Sequence, residues 1–253
     1  MSTSPTRIEA DYTRGAVSCA RRITGGHALL VVGACAVAVA GLLPVDGAAI
    51  EFARRFGENG DLRLGGDLRR ELLFVQQWGD FVCTVLVLTA IYLMDAARRA
   101  RLWDAVGAIA VTAAAYQSLK ILIGRPRPKY GDPMAFFTSV RPYDLDGTAR
   151  YSWELWGGIS SNLWSMPSSH SAAAMCLSVI LMRVYPRLTP LVLPLAFVVA
   201  FCRVLFTAHY PSDVVAGLAV GYLGAGVAMD GCWGSRLAAR LGRKGTESSR
   251  ARA

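Results

Sequence analysis

Three short clusters of polar and charged residues interrupt a largely apolar chain. The first cluster is the segment 120–128, Lys-Ile-Leu-Ile-Gly-Arg-Pro-Arg-Pro, and the second is 167–170, Pro-Ser-Ser-His. The third spans 203–213 and contains Arg203, His209 and Asp213. A guanidinium fork matches two phosphate oxygens at once, and histidine serves as nucleophile, acid or base. Together the clusters have the residue types that a site for phosphate chemistry requires.

Simpler interpretations exist for most of these residues when each is taken alone. Lys120 can extend from a helix end to the membrane interface, and Asp213 can be a favourable acid in a first helical turn. Pro167 and Ser168 also form a common helix start, although unpaired N–H groups there favour an anion. Arg203 is different, because a charge inside an apolar run costs about 2.5–3.5 kcal/mol unless it is paired. We therefore expect an anionic partner for Arg203.

The elements that carry these clusters are predicted to be membrane-spanning helices. The chain is 53% apolar and only 18% charged, which is unusual for a soluble domain. A span needs about 20 mostly apolar residues. Candidate runs lie at about 28–43, 72–94, 103–123, 169–185, 188–207 and 213–230. The sequence thus predicts an all-α integral membrane protein, a bundle of about six transmembrane helices, with one membrane domain over 27–233.

Basic residues indicate how the bundle is oriented. Segment 1–26 is polar and Arg-containing, the connections near 98–101 and 183–187 are Arg-rich, and the tail 234–253 is basic. All are predicted to be cytoplasmic. The three polar clusters then share the outer (periplasmic) end of the bundle. A cleaved signal peptide competes with a retained first span, since Ala38-Val39-Ala40 has the small-x-small form; we favour the retained helix.

Two further features lie before the third span. The segment 45–71 mixes charge with glycine, and the spacing of Ala49, Phe52 and Phe56 predicts a short amphipathic helix along the interface. Asp80 is a carboxylate at membrane depth in the second span. We interpret it as a structural partner for a cation and give it no catalytic role.

The clusters resemble the motifs of the type-2 phosphatidic acid phosphatase family, which is related to bacterial acid phosphatases and vanadium haloperoxidases. The first family motif is a lysine followed, after six residues, by Arg-Pro, and Lys120, Arg127 and Pro128 match it. Pro-Ser-Gly-His is nearly matched by 167–170, and Arg203, His209 and Asp213 match the third motif. The motifs occur in the family's order, and the resemblance covers about 115–230.

Two positions depart from the family pattern. Ser169 replaces a glycine and adds a side chain beside the phosphate, so its effect falls on substrate range more than on catalysis. Cys202 replaces the serine before Arg203, where we expect little effect.

The resemblance implies a mechanism for the three catalytic residues. His209 attacks phosphorus and becomes a phosphohistidine, Asp213 holds the imidazole, and His170 protonates the leaving group and then activates water. Lys120, Arg127, Arg203, Ser168 and Ser169 would hold the phosphate oxygens. The mechanism requires no metal or cofactor, and the sequence has no metal-ligand cluster.

The predicted function is therefore a metal-independent phosphatase whose partner is a lipid phosphate within the bilayer. Candidate substrates are a polyprenyl diphosphate, phosphatidate, phosphatidylglycerophosphate or a lipid A phosphate. Two other classes of function are a transporter, which would show broken helices and repeats, and a protein that binds a phospholipid without cleaving it.

The chain has a net charge of +9. Its basic residues lie mainly at the membrane edges rather than in one stripe with aromatic residues between them, so we expect no nucleic acid partner. The Ala- and Arg-rich composition suggests a bacterial inner membrane, and the sequence does not indicate an oligomeric state.

Overall fold

The computed structural model describes residues 23–56, 64–154, 160–232 and 234–236, and these are almost entirely helical. The helices are α1 (Gly25–Leu42), α2 (Asp46–Arg54), α3 (Gly66–Val75), α4 (Phe81–Met94), α5 (Arg99–Ile123), α6 (Ser169–Val184), α7 (Thr189–Leu205) and α8 (Pro211–Gly231). A small antiparallel hairpin, β1 (Tyr143–Leu145) and β2 (Thr148–Arg150), lies in the long loop between α5 and α6. Short 3₁₀ turns join several of these elements. The prediction of a helical membrane protein is confirmed.

The described part of the chain has four helices long and apolar enough to cross a bilayer, or five if one bent pair is a single span. They are Gly25–Arg54, Ala96–Ile123, Pro186–Leu205 and Pro211–Arg236, with short turns included in their bounds. The bent pair is Gly66–Gly79 with Phe81–Met94, which meet at 64°. The apolar run predicted at 72–94 is thus divided in two. The division falls at Asp80, whose extended backbone (φ −96°, ψ 152°) interrupts the helix and whose side chain caps the next one.

Helix α6 is the remaining predicted span and lies at the centre of the bundle. It has 16 residues, and 11 of them are buried. Helices α5, α7 and α8 all pack against it, and Met175, Val179 and Ile180 lie in the main apolar core. Because its neighbours shield it, this helix does not have to provide a full lipid-facing length of its own.

Glycines let α8 approach α6 closely. A Cβ on Gly217 would lie 2.4 Å from the carbonyl oxygen of Ser168, and one on Gly221 would lie 2.3 Å from that of Ala172. Small residues at helix interfaces allow such contact between backbones in membrane proteins. The contact holds the first turns of α6 and α8, which carry His170 and Asp213, against each other.

The amphipathic helix predicted within 45–71 is present as α2. Its buried residues are Asp46, Ile50 and Ala53, whereas Phe52 is exposed. The predicted face of Ala49, Phe52 and Phe56 is therefore not the face that packs on the bundle.

An ion pair joins the C-terminal ends of α6 and α8. Arg183 on α6 donates two hydrogen bonds to Asp230 on α8, at 2.6 and 3.0 Å.

Gly124 ends α5 in a left-handed conformation with φ +50°, and a Cβ there would lie 2.1 Å from Thr138 Oγ1. We expect Gly124→Ala to destabilise the protein by about 2–5 kcal/mol, from backbone strain and overpacking together. Gly131→Ala is the matched control, because Gly131 has φ +72° but no atom within 4 Å of the added methyl group. It should cost only the strain, about 1–2 kcal/mol. Thermal unfolding in detergent measures both, and equal losses would contradict the packing argument.

Candidate active site

His209 lies in the loop between α7 and α8, and Asp213 lies in the first turn of α8. Both side chains are buried, with exposures of 1% and 0%. The backbone N–H of Tyr210 donates to Asp213 Oδ2 at 2.9 Å, which fixes the carboxylate as the cap of its own helix. His209 Nδ1 lies 3.7 Å from the same oxygen. The helix start therefore presents the carboxylate to one nitrogen of the imidazole.

Ser165 lies between the two groups and was not singled out from the sequence. Its hydroxyl donates to Asp213 Oδ2 at 2.5 Å, and its oxygen is 3.5 Å from His209 Nδ1. Because the O–H of Ser165 donates its hydrogen bond to the carboxylate, the hydroxyl oxygen is free to accept a hydrogen bond from Nδ1–H. This arrangement favours the tautomer in which Nε2 keeps its lone pair.

The environment of His209 keeps its imidazole neutral. Burial lowers the pKa of His209 to about 4, helped by the charges of Arg127 and Arg203 and opposed by the neighbouring Asp213. A neutral imidazole has a lone pair available for attack, whereas a protonated one does not.

Arg125 is a site residue to which the sequence analysis gave no role. It is fully buried, and its Nη1 donates to Asp213 Oδ1 at 2.6 Å and to Ser212 Oγ at 2.7 Å. Its Nη2 donates to Asp46 Oδ2 at 2.7 Å. The guanidinium also lies over the ring of Tyr210, 4.1 Å from its centroid. Arg125 is thus paired with two carboxylates and links α2 to the start of α8.

The three cations predicted to bind phosphate have different partners. Lys120 is 5% exposed, and its Nζ donates to Ser169 Oγ at 3.1 Å. Arg127 Nε donates to the Ser161 carbonyl at 2.8 Å. Arg203 Nη1 donates to Gln76 Oε1 at 3.0 Å, while its buried Nε has no hydrogen-bond partner.

No carboxylate pairs with any of these three cations in the described part of the chain. The anionic partner expected for Arg203 is therefore absent there, and the neutral amide of Gln76 takes that place. Two of the nearby carboxylates, Asp46 and Asp213, bind Arg125 instead. Among the residues that the structure describes, these three buried or half-buried cations therefore have no ion-paired carboxylate.

The N-terminus of α6 carries Ser168, Ser169 and His170. Ser168 caps the helix, since its Oγ accepts from the N–H of Ser171 at 3.4 Å and from the Ser171 hydroxyl at 3.1 Å. The Ser168 N–H donates to the Asp213 carbonyl at 3.0 Å, which joins the starts of α6 and α8. His170 is partly buried and interacts electrostatically with Lys120, Arg127 and Arg203.

The structure therefore brings the predicted site residues to one end of the bundle. They come from the end of α5 and the loop after it, the start of α6, the end of α7 and the start of α8. His27 lies elsewhere, on α1, with its Nε2 3.1 Å from the hydroxyl of Tyr222. Within the described ranges, no three or more His, Cys, Asp or Glu side chains are placed to hold a metal ion.

The model of one protein family, described as the PAP2 superfamily, matches residues 101–235, which is just over half of the chain. The chain belongs to the PAP2 superfamily. The match includes all three polar clusters, so the resemblance identified from the motifs is confirmed. The expectation of a phosphoric ester hydrolase is confirmed with it. No curated protein sequence matches this PAP2 chain.

Two solved structures resemble this PAP2 protein. One is a transmembrane PAP2 type phosphatidylglycerolphosphate phosphatase from Bacillus subtilis, at 17% identity and a TM-score of 0.53, covering 79% of this chain and 93% of that one. The other is LpxE from Aquifex aeolicus, at 17% identity and a TM-score of 0.49, covering 71% and 93%. The first likeness supports the fold of a multi-pass membrane protein.

Proposed function

We propose that the protein is a metal-independent phosphatase that removes phosphate from a membrane lipid through a phosphohistidine at His209. The observation that supports this most strongly is the imbalance of charge. Lys120, Arg127 and Arg203 act electrostatically on His170, and the two arginines also act on His209. Within the described ranges none of the three cations forms an ion pair with a carboxylate. Buried charges are stable only when paired, so the site favours an anionic ligand. A phosphate group has the charge and the oxygens to satisfy all three cations.

Attack by His209 is the first step of the proposed reaction. Ser165 and Asp213 hold Nδ1, so Nε2 is the nitrogen that forms a bond to phosphorus as the bond to the leaving oxygen breaks. Negative charge moves onto the leaving oxygen and spreads over the equatorial oxygens. The cations offset this charge more strongly in a buried site than they would in water.

His170 completes the proposed cycle as acid and then base. The negative charge of the bound phosphate favours the imidazolium form of His170, and in the first step one proton of this imidazolium moves to the leaving oxygen, which departs as the alcohol of the lipid. In the second step the neutral His170 takes a proton from water, and the hydroxide oxygen attacks the phosphohistidine. Inorganic phosphate leaves, and His209 returns to its neutral form. The Lys120 contact with Ser169 places this phosphate-binding cation beside His170.

We further propose a bacterial inner membrane as the location, with the reaction at the periplasmic face. The basic connections at the other end of the bundle support this orientation. They include Arg98, Arg99, Arg183 and Arg187. A lipid substrate could then reach the site from the outer leaflet.

The test is phosphate release by purified protein in detergent with EDTA present. The panel contains phosphatidate, phosphatidylglycerophosphate, a polyprenyl diphosphate and a lipid A phosphate. We expect release that EDTA does not reduce, together with a labelled phosphoenzyme that is stable in alkali and labile in acid. Folded protein that releases no phosphate from any lipid would exclude the proposal and favour transport or binding. Release abolished by EDTA and restored by a metal ion would contradict the metal-independent mechanism.

The ionisation of His209 can be tested without a substrate. The chain has three histidines, so histidine-selective ¹⁵N labelling gives three sets of imidazole signals, and His209→Asn identifies one set. Since burial lowers the pKa of His209 to about 4, its signals should remain those of a neutral ring from pH 8 down to about pH 5.5. They should change only as the pH falls further toward 4. Protonation at pH 6.5 or above would contradict the neutral nucleophile.

A further inference from the structure

A cavity of about 200 Å³ lies beside His170 and contains a carboxylate that the proposed mechanism does not use. Asp80 lines this cavity together with Ser169, His170 and Tyr116. Apolar side chains that include Ile109 and Leu177 form much of the rest of its wall. Asp80 also interacts electrostatically with His170. The carboxylate therefore faces the same space as the proposed acid.

The backbone fixes Asp80 in this place. Its Oδ1 accepts from the N–H of Val82 at 3.3 Å and so caps α4 at the bend. The preceding residue, Gly79, packs directly on α6, because a Cβ on it would lie 2.5 Å from the carbonyl oxygen of His170. The bend between α3 and α4 thus places a carboxylate one residue away from a backbone contact with His170.

Asp80 is not paired with a cation, contrary to the interpretation from the sequence. In the ranges that the structure describes, no Lys, Arg or His lies within 4 Å of its carboxylate, and no side chain donates a hydrogen bond to it. One carboxylate oxygen therefore has the capacity to accept a hydrogen bond from a ligand in the cavity.

The charge of Asp80 restricts which part of a substrate can lie beside it. A carboxylate repels a phosphate group, so the transferred phosphate belongs near the cations instead. His170 must reach the leaving oxygen, and consequently the leaving group occupies the space between His170 and Asp80. A second phosphate in that space, as in a diphosphate, would face the carboxylate. A hydroxyl group there would instead donate a hydrogen bond to it.

On the basis of the proposed function, we infer that Asp80 accepts a hydrogen bond from a hydroxyl of the leaving group. The preferred substrate is then a phosphomonoester of a hydroxylated lipid headgroup, such as a glycerol or sugar, rather than a diphosphate or the phosphate of a lipid without a free hydroxyl. The cavity volume equals that of about seven water molecules, which is room for a glycerol unit. The apolar wall suits the carbon skeleton of such a headgroup.

The experiment compares kcat/KM for three lipids in wild type and Asp80→Asn. Phosphatidylglycerophosphate has a glycerol hydroxyl in its leaving group, phosphatidate with the same acyl chains has none, and a polyprenyl diphosphate has a second phosphate. Asparagine keeps the volume and the helix cap. Asp67→Asn is the matched control, since Asp67 lies on the same bent pair but pairs with Arg70 at the surface.

We expect wild type to favour phosphatidylglycerophosphate over phosphatidate by at least tenfold. Asp80→Asn should lower kcat/KM for phosphatidylglycerophosphate by about tenfold to a hundredfold, the range for a hydrogen bond to a charged group. Because Asp80 also acts electrostatically on His170, activity on phosphatidate should fall too, but clearly less, so the preference for phosphatidylglycerophosphate should shrink. The relative rate on the diphosphate should rise, and Asp67→Asn should alter none of the three. An equal fall on all lipids, or a wild type without the preference, would overturn the inference while the phosphatase function stands. No release from any lipid would instead remove the proposed function itself.

Discussion

His209→Ala should lower phosphate release by at least about 10⁴-fold, while His27→Ala retains wild-type activity. The nucleophile forms the covalent intermediate, so no other group can substitute for it at a comparable rate. His27 contacts Tyr222 on another part of the bundle. The same substitution at the two positions therefore separates loss of the nucleophile from loss of a histidine in general.

The measurement is kcat in detergent on the best lipid of the panel, together with trapping of labelled phosphoenzyme. His209→Asn should also lack the adduct, and it keeps more of the buried volume than alanine does. Unfolding temperatures of all variants show whether the site has simply lost its structure. An active His209→Asn, or a labelled adduct in either His209 variant, would assign the nucleophile to another residue.

Arg125→Met should destabilise the protein by about 3–5 kcal/mol, the cost of breaking a buried ion pair by removing one partner. Asp46 and Asp213 both have exposures of 0%, and Arg125 is the cation that binds each of them. Methionine fills a similar volume without the charge, so the loss measures the carboxylates left unpaired. Activity should fall as well, because Asp213 loses the contact that fixes its Oδ1.

Arg70→Met is the control for Arg125→Met. Arg70 also pairs with an aspartate, Asp67, but both side chains are largely exposed, and such surface pairs contribute little. Thermal unfolding in detergent should therefore separate the two variants clearly. If Arg125→Met unfolded at the wild-type temperature, the buried network would not contribute to stability in the way described.

The sequence predicted those parts of the fold and site that depend on local patterns. Apolar runs gave α1, α5, α7 and α8 within a few residues, because a helix of sufficient apolar length is recognisable without knowledge of its neighbours. Three motifs predicted which end of the bundle would hold the polar residues. The individual roles of His170, His209 and Asp213 stay predictions until the variants are measured.

Other features depend on contacts between distant segments and had no local signal. Asp46 and Arg125 are 79 residues apart, and Asp46 lies in a segment with several other charges. Nothing nearby in the sequence distinguishes it as the partner of a buried arginine. The bend at Asp80 was missed for a related reason: averaged hydropathy does not detect one residue with an extended backbone inside an apolar run.

The shortness of α6 determines how deep its reactive end lies. Its 16 residues rise about 24 Å, whereas the hydrocarbon layer is about 30 Å thick. If the inner end of α6 is level with one hydrocarbon boundary, its reactive end lies about 6 Å inside the other. Helices α5 and α8 are longer, with 25 and 21 residues, and rise about 38 and 32 Å, so the reactive end of α6 lies in a recess that protein surrounds. A phosphate that enters this recess would react while the acyl chains of its lipid stay in the leaflet.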